Sequence, residues 1–251
     1  MTTLAIANQK GGVGKTTTAI NLGAALAALE QRVLVVDCDP QGNATRGMGV
    51  ESEEPTLFDV LLEERPMEEA VRSTGLPCLE IVPSDRDLVG VEVEFSRVGG
   101  RPRTLEGVLR PLLDRYDTIL LDCPPSLGHL TINALVAADE VLVPLQCEYF
   151  ALEGISELVS TVERVRSSLS PGLGIGGILL TMYDERTNLA RDVAQEIRRH
   201  FADKVYETVV PRNVRLAEAP SHGQPILLYD IKSRGAEAYL ALAREILGRA
   251  A

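Results

Sequence analysis

A chain of 251 residues with 45% hydrophobic side chains can bury a sizeable core, as one large domain or two small ones. Its net charge of −11 argues against a protein coated in nucleic acid, and the absence of tryptophan leaves Leu, Val, Ile and Ala to build the core. Its four cysteines (Cys38, Cys78, Cys123, Cys147) form no CxxC pair, which argues against a zinc or dithiol motif and points to reduced thiols in a cytoplasmic protein.

The N-terminus opens directly into an apolar run, so no export signal is expected, and no apolar run is long enough to span a bilayer. In chain order the pattern predicts strand 4–7, helix 16–29, strands 33–37 and 79–83, helix 105–113, strand 118–122 and helix 130–137. Strand 141–145, helix 152–169, strand 177–181, helix 189–201, strand 205–209 and helix 236–247 follow. Continuously apolar strands alternating with helices imply an α/β fold: a mostly parallel, twisted sheet with helices on both faces. The stretches 99–103 and 170–172 look like loops rather than linkers, so residues 1–251 are expected to form one domain.

Directly after the first strand come Lys10, Gly11, Gly12, Val13, Gly14, Lys15, Thr16 and Thr17, which open a helix. This is the context of a P-loop, the signature of P-loop NTPases. Glycines let successive backbone N–H groups point at phosphate oxygens, and the helix N-terminus adds the positive end of its dipole. Lys15 would reach the β- and γ-phosphates of ATP, and the Thr16 hydroxyl would bind Mg²⁺. One departure is visible: the usual pattern wants glycine five residues before Gly14, where Gln9 stands, and Lys10 is an additional lysine.

Two further strands end in carboxylates. The run 33–37 ends in Asp37, with Asp39 two residues on, followed by Pro40-Gln41-Gly42. Ligand groups in open α/β sheets collect at strand carboxyl ends. Asp39 there could orient an attacking water, while Asp37 would support the loop and Mg²⁺ waters. The run 118–122 ends in Asp122, before Cys123-Pro124-Pro125, and fits a Walker B strand whose aspartate holds Mg²⁺ through water. No arginine finger is evident, so turnover should be slow.

With Lys10 inside its P-loop, the sequence resembles the deviant P-loop ATPases, the family of ParA, MinD and the nitrogenase iron protein. The resemblance implies that Lys10 reaches the partner's nucleotide in an ATP-sandwich homodimer, and that Lys10, Lys15 and Asp39 form the catalytic set. The segments 148–154 and 211–221 are similar to the chromosomal ParA, or Soj, proteins, and the likeness covers nearly the whole chain. By that resemblance Pro211 and Asn213 line the adenine pocket. It also implies nucleoid association through non-specific binding to double-stranded DNA in the ATP state, and release when a ParB-type activator stimulates hydrolysis. The candidate DNA contacts are Arg186, Arg215 and Arg234. Residues 181–235 hold 9 basic and 8 acidic side chains, against 14 and 26 in residues 1–180, so a basic face is feasible there. The alternative is a MinD-like, membrane-cycling cell-division ATPase, but the 236–247 helix carries little positive charge and reads as core-packing, so no membrane partner is expected. An iron–sulfur reductase lacks the second suitably placed cysteine.

Overall fold

The computed structural model describes residues 1–250. Eight strands form one sheet: β1 (Thr2–Ile6), β2 (Val33–Asp37), β3 (Arg72–Ser73), β4 (Leu79–Val82), β5 (Thr118–Asp122), β6 (Glu140–Gln146), β7 (Gly174–Tyr183) and β8 (Val205–Pro211). Their spatial order is β3-β4-β2-β5-β1-β6-β7-β8. Every pairing is parallel except the short β3–β4 edge.

The strands are apolar throughout because both faces are covered. Side chains alternate across a pleated strand, so neighbours in sequence enter different cores. In β5, Ile119 and Leu121 join a core capped by the helices Val89–Arg97, His129–Ala137, Ala151–Ser168 and Asn188–Phe201. Leu120 points the other way, into a core shared with Lys15–Ala28 and Arg234–Ala250. The helix Lys15–Ala28 is buried on nearly every side, with Gly23 seated 3.2 Å, by a built Cβ, from Val35. A small residue there lets the helix lie close on the sheet.

All seven expected strands and six expected helices are present, shifted by a few residues at their ends. The sequence reading lacked the edge strand β3, the helix Val89–Arg97 and several one-turn helices. Val89–Arg97 has valine at alternate positions (Val89, Val91, Val93), which imitates a strand; only Val91 and Phe95, one turn apart, are buried. The C-terminal helix packs Ala236, Tyr239, Leu242 and Ala243 against Lys15–Ala28 and β8, so its apolar side is occupied. Among the described residues no helix is long and apolar enough to cross a membrane.

Parallel register sets the geometry of the site. Ile6, Asp37 and Asp122 end three adjacent strands, and Asp37 and Asp122 are register partners. The loops after β1, β2 and β5 therefore emerge side by side at one end of the sheet, with the end of β7 close to the first of them.

Candidate nucleotide site

The loop after β1 curls because Gly12 and Gly14 adopt φ of 75° and 93°, values that side chains resist. It is braced from two strands. Asn8, buried, donates its amide to the Pro144 carbonyl of β6 (2.8 Å) and accepts from the Lys10 N–H (3.0 Å). The Thr181 hydroxyl of β7 donates to the Val13 carbonyl (2.7 Å). Val13 itself is buried, so it shapes the loop from behind.

Beside the loop lies a cleft of about 450 Å³. Its phosphate end is walled by Gly11, Gly12, Gly14, Lys15, Thr16 and Thr17, and Asp39 and Pro125 face it from the neighbouring loops. The far wall includes Pro211 and Asn213. The Asn213 Oδ1 already accepts from the Arg215 N–H (2.8 Å), which caps a short helix and leaves the Nδ2 group as a donor. Tyr239 closes the floor, with its hydroxyl 3.2 Å from that of Thr18.

Lys15 is the first residue of its helix and 7% exposed, and its ammonium donates to the Lys10 carbonyl at 3.1 Å. Burial lowers its pKa; Asp122, Cys123 and Asp39 pull the other way. Lys10 behaves differently. Its side chain leaves the cleft and makes an ion pair with Glu148, both groups being partly exposed.

The carboxylates fall into three roles. Asp37 is fully buried and its oxygens are engaged by the Asp39 N–H (3.2 Å), the Thr45 N–H (2.8 Å) and the Thr45 hydroxyl (2.7 Å). Burial still pushes its pKa up to about 6. In this arrangement it organises the loop. Asp39, 8% exposed, lines the cleft and accepts from the Gln41 N–H at 2.9 Å. Asp122 lies behind the wall, fully buried, and neither carboxylate oxygen meets a hydrogen-bond donor. Burial raises its pKa well above the carboxylate range, with Asp37 adding to this, although the nearby Thr16 hydroxyl favours the ionised form.

Orphaned acceptors in a buried site are costly, and each normally has an explanation. Two lone carboxylate oxygens beside Thr16 and an open glycine cradle fit a hydrated divalent cation, whose waters would supply the missing donors. The residues present therefore suit a hydrated cation such as Mg²⁺.

The three candidate arginines are exposed. Arg186 is paired with Asp184 (2.7 Å) and lines a cleft of about 550 Å³ together with Arg234 and with Arg212, which the sequence reading passed over. Arg215 sits on the short helix Val214–Glu218, paired with Glu218 (2.9 Å) and set over the Tyr229 ring. Solvent-exposed pairs of this kind are weak, so a phosphate could replace the carboxylates. The sequence reading also missed Asn8, Thr181 and Ser84, none of which belongs to a recognisable motif.

Residues 1–175 match the AAA domain family. The chain is 56% identical to the chromosome partitioning protein ParA of Caulobacter vibrioides, over 98% of this chain and 94% of that one. It is 53% identical to the sporulation initiation inhibitor protein Soj of Bacillus subtilis, over 97% of each. Among solved structures, cobyrinic acid a,c-diamide synthase from Mycobacterium smegmatis, with bound ATP analogue and magnesium, superposes with a TM-score of 0.85. It is 36% identical over 98% of this chain and 94% of that one.

Proposed function

Because the chain belongs to the ParA/Soj family of chromosome-partitioning ATPases, we propose that it is an ATP-driven switch that works as a sandwich homodimer on DNA. The observation that carries this reading is the placement of Lys10. It sits inside the phosphate loop, yet its ammonium is turned out of its own cleft towards Glu148, at a partly exposed site where a second copy's nucleotide could be reached.

In this reading Lys15 holds the β- and γ-phosphates and the loop N–H groups cradle them. Mg²⁺, when bound, supplies charge neutralisation at those phosphates, and Thr16 and the Asp122 side would hold it. Asp39 orients the attacking water, and Pro211 and Asn213 flank the base. Hydrolysis is slow until a ParB-type activator accelerates it. The exposed cations Arg186, Arg215 and Arg234 contact DNA phosphates without reading sequence. Two weak faces joined in a dimer bind far more tightly than one, so the nucleotide state sets DNA affinity. The protein would thus be cytoplasmic and nucleoid-associated. The apolar side of the C-terminal helix is engaged in the core, which speaks against a MinD-like membrane cycle.

The deciding experiment is DNA binding measured with ATP, with ADP and without nucleotide. Binding confined to the ATP state supports the switch; equal binding in all three overturns it. Two variants add detail. Arg215→Glu should weaken DNA binding at least ~10-fold at low salt and flatten its salt dependence, while ATP affinity holds. An unchanged salt slope would remove Arg215 from the interface. A Cβ on Gly11 would meet no atom within 4 Å in the monomer. Gly11→Val should therefore fold and melt like the parent, yet fail to dimerise with ATP. Normal dimers by light scattering would argue against close subunit contact at this loop.

A further inference from the structure

Two loops face the phosphate end of the cleft: the one after β2, with Asp39, and the one after β5, with Pro125. They are distant in sequence, and a single stretch of chain touches both. At its start, the Ser84 hydroxyl donates to the Asp39 carbonyl (2.8 Å). Further on, in the helix Val89–Arg97, Glu92 accepts hydrogen bonds from the N–H groups of His129 (2.8 Å) and Leu130 (3.0 Å).

Those N–H groups open the helix His129–Ala137, which has no side-chain cap of its own. A carboxylate across the positive end of a helix is well placed electrostatically. Gly128 lies against it so closely that a Cβ would come 2.4 Å from Glu92 Oε1. Phe95, from the same helix as Glu92, packs edge-on to His129 with ring centroids 6.5 Å apart. Among the described residues, the hydrogen bonds that reach 124–130 from outside that loop and its helix both end on Glu92. Inside the loop, Thr131 donates to the Ser126 carbonyl (2.6 Å). The loop is thus a short, proline-stiffened span between two anchors, β5 at one end and the Glu92 clamp at the other. A stiff span passes movement at one anchor to the other.

We propose that Glu92 is a positioning residue for ATP hydrolysis: it fixes the helix that ends the β5 loop, keeping Pro125 in place beside the cleft. Through the stretch back to Ser84 it also ties that loop to the one carrying Asp39. The proposal rests on the ATPase reading above and names a residue outside the nucleotide motifs. A simple helix cap would affect stability alone. A positioning residue affects turnover, since small misplacements of reacting groups are expensive in rate.

Glu92→Ala and Glu92→Gln separate these roles. In Glu92→Ala, kcat for ATP should fall ~10-fold with KM changed less than ~3-fold, the mark of an interaction realised in the transition state. Glu92→Gln keeps one carbonyl acceptor and should fall in between. Without nucleotide, amide exchange at His129 and Leu130 should quicken at least ~10-fold in Glu92→Ala while the helix Lys15–Ala28 is unaffected. A lowered melting temperature with parental kcat and KM would overturn the proposal in favour of a plain cap, as would unchanged exchange. Parent and variant hydrolysing ATP equally would overturn the clamp alone. A parent that hydrolyses no ATP would overturn the ATPase reading and this proposal with it.

Discussion

Lys15→Ala should lose ATP binding by ~10²–10⁴-fold. Hydrogen bonds to charged groups contribute about 1.5–3 kcal/mol each, and the proposed site asks this ammonium for two, to the β- and γ-phosphates. The free protein should tolerate the change. Lys15 is desolvated there, and its one hydrogen bond is to the Lys10 carbonyl. Titration calorimetry with ATP and Mg²⁺ reads the affinity, and a thermal melt without nucleotide reads the fold. ATP affinity within threefold of the parent would sink the assignment of the cleft. Lys15→Gln should behave almost as badly, because the amide keeps length and polarity but no charge.

Asp39→Ala should bind ATP normally and hydrolyse it ~10²–10⁴-fold more slowly, the usual contribution of a positioned base. The structure explains why the loop should survive. It is held chiefly by main-chain groups of Asp39: its N–H donates to Asp37, and its carbonyl accepts from the Ser84 hydroxyl and from the Gly42 N–H (2.9 Å). Only the bond from Gln41 to the carboxylate is lost. Single-turnover phosphate release gives the rate. Trapped in the ATP state, the variant should stay on DNA and be retained in a gel-shift or pull-down assay. A variant that binds DNA equally with ATP and ADP would count against the switch, even if its hydrolysis were slow.

The sheet was legible because its burial on both faces makes each strand a continuous apolar run, as in 33–36 and 119–121. The phosphate loop was legible because backbone curvature demands glycine and charge demands lysine at fixed spacing. What reads poorly from sequence is contact between distant segments. Thr181 is one threonine at the end of an apolar strand, and nothing near it in sequence says that its hydroxyl braces Val13. Ser84 and Asn8 are equally anonymous. Glu92 was hidden twice over. Its helix imitates a strand through alternating valines, and its partners are backbone N–H groups, which carry no sequence mark. Arg212 escaped notice because a groove lined by several arginines appears only when β7, β8 and the C-terminal helix meet. The orphaned oxygens of Asp122 belong to the same class: the residue was identified from its strand, but its lack of donors is a property of the packed interior.

The strand order also bears on how this protein comes into being. β1 lies between β5 and β6, so its partners in the sheet, from Thr118 and Glu140 onward, are synthesised long after it. The loop that follows it has to wait as well, for Pro144 and then for Thr181. Parallel sheets close large loops before their contacts reward them, which slows folding and leaves strand edges exposed meanwhile. The nascent chain should therefore be unable to bind nucleotide until β7 has emerged.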